Sequence, residues 1–281
     1  MVKRRLNSTP EKPDNSPIWY RLNSRPIKMS TPTNQQRLDA CQPPHDQSHV
    51  MYQSWKELLF LHWQIDPAVI QATLPPGLTV DTFGGNAYLG IVPFYMCNIR
   101  PRFLPAVPGI SDFLEMNVRT YVHDAQGRPG VWFYSLDANQ KLAVRVARKF
   151  FNLPYFDAKM TASMNGLTVN YHSQQKDSHE TASYQYTPTE PAASTSAPEY
   201  SGSLEFFLTE RYYLFAYNQK KQQLYSGRVH HNAYPLHQVE VNQYSDYPIK
   251  LAGFDQPCRA PDHALMSRGV DIKIYPLQEV L

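Results

Sequence analysis

The sequence predicts a mainly β protein of the α+β class: an antiparallel β-barrel, closed or nearly closed, with one or two short helices. Two features of composition and one of patterning lead there. The 281 residues include 24 Pro, 19 Tyr and only 12 Gly. Abundant proline with many aromatics suits short strands joined by turns better than a helical bundle. Scarce glycine disfavours a nucleotide-binding α/β fold, whose turns are glycine-rich. The patterning is mostly strand-like, with few helical stretches to set against it.

The elements follow in chain order. A first short helix is expected over 66–73, with Asp66 as N-cap, Pro67 at the first helical position and Pro75-Pro76-Gly77 as the stop. Residues 86–96 are β-rich and almost uncharged, and 115–123 alternate polar with apolar. The turn Asp124-Ala-Gln-Gly127 leads to a strand at 130–137. A second helix is expected over 140–151, with Ala143, Val146, Ala147, Phe150 and Phe151 on one face. Strands are then read at 204–217, 224–231, 235–241 and 270–277.

Two stretches read as irregular. Residues 1–47 carry eight basic and four acidic side chains and show no apolar period, as in a disordered basic tail. Residues 172–202 hold ten Ser or Thr and no Ile, Leu, Val, Phe or Met, so they are expected to form a low-complexity surface loop. The organisation is therefore a tail, 1–47, and a single domain, 48–281, interrupted by that loop.

A net charge of +3 is too small to single out nucleic acid or an acidic membrane as the partner. The longest apolar run lies near Leu58-Leu59-Phe60-Leu61, far short of the roughly 20 residues that span a bilayer. Cys41, Cys97 and Cys258 are too scattered for a disulfide framework or a zinc knuckle. A reducing, cytoplasmic setting is expected. No nucleophile elbow, phosphate loop, dinucleotide fingerprint, CxxC or HExxH is present. His230-His231 sit side by side, but neighbours on a strand point to opposite faces and do not readily share one ion. No metal and no cofactor is assigned. Ser135, His62 and Asp137 make a triad on paper, with no supporting spacing.

The segment at 115–123 is the most informative. A period of two puts Glu115, Asn117, Arg119, Tyr121 and His123 on one face and Met116, Val118, Thr120 and Val122 on the other. If the apolar side meets the core, the polar side faces water or a cavity inside a barrel. Arg148, beside an apolar helix face, reads as a surface cation or as a carboxylate clamp turned inward.

Several ordered motifs then resemble a known family. They are Leu61-His62-Trp63, Leu74-Pro-Pro-Gly-Leu-Thr-Val-Asp81 and Gly85-Asn-Ala-Tyr-Leu-Gly-Ile-Val-Pro-Phe94. Phe113 to Val122, Gly130 to Ala138, Ala147-Arg148 and Leu153-Pro154-Tyr155 follow. Thr209-Glu-Arg-Tyr212 and Gly227-Arg-Val-His-His231 complete the set. Together they resemble the YqjF-like bacterial proteins, a domain of unknown function in the acetoacetate decarboxylase-like superfamily. The resemblance implies a β-barrel-like fold. In acetoacetate decarboxylase a buried lysine forms a Schiff base with a β-keto acid, in a motif Gly-Arg-Glu, three residues, Pro-Lys-Lys. Arg148 matches the motif arginine, Pro154 follows it six residues on, and Glu115 matches an active-site glutamate. Tyr155-Phe156 stand where the lysines belong, and Lys149 replaces the glutamate after the arginine. Schiff-base chemistry needs an amine of lowered pKa in an apolar pocket, which Tyr155 does not offer; Lys149 and Lys159 read as surface lysines.

The expectation is a cavity protein acting on a small organic acid or carbonyl compound, or simply binding one. Glu115 and Tyr155 are its catalytic pair, and Arg119, Arg148, Asn117 and His62 are its ligand-binding residues. A homo-oligomer is left open.

Overall fold

The computed structural model describes residues 31–192 and 198–280, apart from the side chains at 143, 146, 147, 149, 150, 198 and 199. Of the apolar face expected on the second helix, only Phe151 falls within that set, and the Lys149 side chain falls outside it.

The segment expected to be a tail contains a helix, α1 (Asn34–Cys41), closed by a capping box in which Thr33 accepts from the Gln36 N–H and Gln36 reaches back to the Thr33 N–H. Its Arg37 is buried and makes two 2.7 Å bonds to Asp81. The tail reading therefore fails for this part; residues 1–30 lie outside the described set. Mean hydropathy hid the helix, because what fastens it is a charge rather than an apolar stripe.

β1 (Met51–Ile65) runs antiparallel to both β12 (His263–Ile274) and β3 (Ala87–Pro101). Leu59, Leu61 and Trp63 enter one core and Leu58 and Phe60 another. A strand buried on both faces reads as a continuous apolar run, without alternation. Next come α2 (Pro67–Gln71), capped by Asp66, and the short β2 (Leu78–Val80). β4 (Phe113–Asp124) and β5 (Pro129–Ala138) form a hairpin across the Gly127 turn, where φ is +73°. From β5 the chain crosses through α3 (Lys141–Phe151) to β6 (Tyr155–Asn165), which lies parallel to β5. Parallel neighbours need such a crossover, so the sheet is not purely antiparallel.

The expected loop at 172–202 is largely strand. β7 (Thr168–Gln175) and β8 (Ala182–Pro191) pair with each other and with their neighbours, and a 3-10 turn follows at Pro198–Gly202. Tyr171, Tyr184 and Tyr186 are buried there, and their hydroxyls donate to the carbonyls of Glu115, Ser245 and Glu57 at 2.8, 3.0 and 2.7 Å. Tyrosine supplies both the apolar burial and the hydrogen bond that a run of Ser and Thr lacks.

The strand expected at 204–217 splits into α4 (Leu204–Thr209), N-capped by Ser203, and β9 (Tyr213–Asn218). β9 pairs in parallel with β5, and Gly130 permits the approach: a Cβ there would sit 2.7 Å from the Tyr213 carbonyl oxygen. β10 (Gln223–His230), β11 (Leu236–Gln243), α5 (Tyr247–Leu251) and β13 (Gln278–Glu279) complete the elements. The hydrogen-bonded order β5-β6-β7-β8-β11-β12-β1-β3-β4 returns to β5 and closes a ring. β9 and β10 bridge β5 to β12 along a second path.

Candidate functional site

β4 supplies one wall of the site. Its Met116, Val118 and Val122 pack into the largest apolar core, which turns Glu115, Asn117 and Arg119 the other way. These three are buried and line a cavity of about 510 Å³. Most of the lining is apolar, with Val92 and Phe94 from β3, Phe133 and Leu136 from β5, and Leu214 from β9. At its mouth stand Leu104, Val107 and Ile110 of the β3–β4 connection.

Glu115 and Tyr155 meet at one end. The Tyr155 hydroxyl donates to Glu115 Oε2 at 3.0 Å. Burial pushes the Glu115 carboxyl up to about 8; the Tyr155 bond opposes that rise and nearby Asp137 adds to it. At neutral pH the group is therefore mainly the protonated acid. Its Oε2 is occupied by Tyr155, and Oε1 takes no hydrogen bond among the described residues. The Tyr155 phenol is itself held well above its ordinary range by burial and by Glu115. Asp137, bonded by Gln175 at 2.8 Å, is raised by burial to about 6.

The other end is cationic. Arg119 Nη2 donates to the Leu208 carbonyl at 3.2 Å and to the Tyr121 hydroxyl at 3.3 Å, and its buried Nε has no partner among the described residues. Arg211 Nε donates to the Phe207 carbonyl and its Nη1 to Asp81, both at 2.7 Å, while its buried Nη2 has no partner among the described residues. Both guanidiniums rest on the C-terminal carbonyls of α4, where cations are favoured. Asn117 Oδ1, between the two ends, is also buried and, among the described residues, unpartnered.

The expected residues therefore divide. Glu115, Asn117, Arg119 and Tyr155 share one cavity. Arg148 does not join them. It is exposed, and its Nε donates to the Tyr155 carbonyl at 2.6 Å. That correction follows from helix geometry: Arg148 lies on the outer side of α3 and holds the backbone of Tyr155 rather than a ligand. His62 also misses the cavity. It is fully buried behind the wall, 2.7 Å from the Tyr121 hydroxyl and 3.1 Å from His263, and burial keeps its imidazole well below its usual pKa. Gly90 makes room for it, since a Cβ there would come within 3.0 Å of the ring. Arg211 and Thr209 belong to the cavity wall and carried no periodic signal, because Thr209 ends a short helix and Arg211 follows it, so neither sits on an alternating strand. Among the described residues no lysine lines the cavity, and Lys159 is exposed.

Residues 52–271 match the model of DUF2071, uncharacterized conserved proteins. The chain belongs to the DUF2071 family. It is 40% identical over 192 residues to the uncharacterized protein YqjF of Bacillus subtilis (strain 168), covering 68% of this chain and 77% of that protein. Among solved structures it is similar to an acetoacetate decarboxylase-like enzyme from Sphingomonas wittichii RW1, with a TM-score of 0.57 and 14% identity over 83% of this chain and 94% of that one. An acetoacetate decarboxylase gives a TM-score of 0.56 and 12% identity, covering 86% and 97%. These likenesses establish the acetoacetate decarboxylase-like fold and not an activity. Among the described residues no helix is long and apolar enough to cross a membrane.

Proposed function

We propose that this protein is an enzyme acting on an organic acid or carbonyl compound held in the cavity, by proton transfer and without a Schiff-base lysine. The observation that carries this reading is Glu115. It is a carboxyl raised to about 8 and bonded on one oxygen to Tyr155, and it lines a mostly apolar cavity whose other polar groups are cationic or neutral. A group poised near neutrality both gives and takes a proton with little driving-force penalty. Oε1 is the oxygen that exchanges the proton, and Tyr155 fixes the carboxyl by bonding Oε2. Asn117 and Arg119 bind ligand oxygens, and Arg148 positions Tyr155 through its carbonyl. Three free cysteines support a cytoplasmic setting.

The predominance of apolar lining favours a second reading, a binding protein using the same cavity. One experiment separates the two. Oxo acids and methyl ketones of four to ten carbons are incubated in D2O, and loss of the protons next to the carbonyl is followed by NMR. The enzyme reading expects exchange that Glu115→Gln abolishes. Ligand binding without exchange of any compound refutes it in favour of the binding reading.

A further inference from the structure

The two ends of the cavity differ in kind, and the difference specifies a ligand. Among the described residues, Arg119 Nε, Arg211 Nη2 and Asn117 Oδ1 are buried polar atoms without partners, and all three side chains line the cavity. Such groups are costly to leave unmet, above all when charged. The two arginines lie together. Arg119 and Arg211 each approach the Tyr121 ring, with guanidinium carbons 5.6 and 5.1 Å from its centroid. They bond to successive carbonyls, of Leu208 and Phe207.

The buried charge around them does not balance. Among the described residues, Arg37, Arg119 and Arg211 are the buried cations of this region and Asp81 and Glu210 its buried anions; Asp81 pairs with Arg37 and Arg211, while Arg119 and Glu210 both act on Tyr234. Asp81 is shared between Arg37 and Arg211, and Glu210 accepts from the Tyr212 hydroxyl and the Tyr234 N–H. His62, His231 and His263 are kept neutral by burial. Among the described residues one positive charge is left over beside the two unmet N–H groups.

At the other end stands Glu115, whose position on β4 is four residues from that of Arg119, a backbone separation of roughly 13 Å at the rise of a strand. The walls between are Val92, Phe94, Phe133, Leu136 and Leu214. We propose that the cavity binds a monocarboxylic acid with an extended apolar body of about eight to ten carbons, a length that spans this distance, with its carboxylate on Arg119 and Arg211 and its far end against Glu115. A singly charged head balances the leftover cation, whereas a doubly charged phosphomonoester overcompensates it. The inference rests on the cavity assignment of the proposed function and adds the class and size of the ligand.

The test is calorimetric titration of the full chain with acetate, butanoate, hexanoate, octanoate and decanoate, and with octanamide and octyl phosphate. Affinity is expected to rise about fourfold per methylene while the apolar section fills, and to level off near eight to ten carbons. Octanoate should bind at least tenfold tighter than octanamide. Arg119→Met should remove that preference by weakening octanoate far more than octanamide, and Arg119→Lys, which keeps the charge, should restore part of it. Equal binding of octanoate and octanamide, tighter binding of octyl phosphate, or no dependence on chain length overturns the proposal. Failure of the enzyme reading looks different: octanoate binds as expected, Glu115→Gln binds it equally well, and no oxo acid exchanges its protons.

Discussion

Glu115→Gln should stabilise the protein increasingly as the solution becomes more alkaline, a consequence of where the carboxyl sits. In the unfolded chain Glu115 titrates near 4.5; in the folded state burial pushes it to about 8. The folded state therefore holds a proton that the unfolded state releases, and stability falls as pH rises through this window. Each pH unit in the window costs about 1.36 kcal/mol, so going from pH 4.5 to 7 takes about 3 kcal/mol from the folded state. The glutamine amide keeps an oxygen for the Tyr155 hydroxyl and cannot ionise. At pH 4 the wild type and Glu115→Gln should melt together within about 1 kcal/mol. At pH 7 the variant should melt higher by roughly 6–12 °C, since 1 kcal/mol moves the midpoint of a domain this size by about 2–4 °C. The assay is thermal unfolding followed by near-ultraviolet circular dichroism at intervals from pH 4 to 8. A difference in midpoint that stays constant across this range would show that Glu115 ionises as an ordinary carboxyl, and would remove the basis for its acid/base role.

Tyr155→Phe deletes the bond that lowers the Glu115 pKa, so the inflection in any proton-exchange profile should move to higher pH; an unmoved inflection would disconnect the pair. A chain starting at His49, or Arg37→Ala in the full chain, should lose about 3 kcal/mol because a buried pair is broken; unchanged midpoints in urea and heat would mean α1 is dispensable. Borohydride reduction in the presence of acetoacetate should leave every lysine unmodified by mass spectrometry, and a stoichiometric adduct would locate an amine in the cavity after all. Arg148→Met should change stability by less than about 1 kcal/mol, as befits an exposed side chain, yet slow proton exchange by loosening Tyr155; equal exchange rates would leave Arg148 without a positioning role.

What the sequence disclosed depended on contrast. β4 was legible because its two faces differ chemically, so Glu115, Asn117 and Arg119 stood out from Met116, Val118 and Val122. α2 was legible from Asp66, Pro67 and the prolines that follow. β1 was not, because both its faces are apolar and alternation vanishes. β7 and β8 were obscured by Ser, Thr and Gln, while three tyrosines did the burying. The cationic end of the cavity was half hidden. Arg119 lies on the readable strand, but Arg211 reaches the same place from the end of α4, at a separation only the fold closes. Arg148 misled because sequence proximity to Tyr155 is real, but its contact is with the carbonyl outside and not with the hydroxyl inside.

The pairing of β1 with β12 sets the order in which this protein is made. Met51 lies opposite Ile274 and His62 opposite His263, so β1 leaves the ribosome long before its partner has been synthesised. Until then β1 has only β3 beside it, and the edge that includes Leu58, Leu59 and Phe60 stays open. Pairings this distant along the chain form slowly and leave such edges exposed to other chains. Arrested synthesis before residue 263 should therefore yield aggregating fragments that a holdase chaperone captures, and the ring should close only once the last long strand is released.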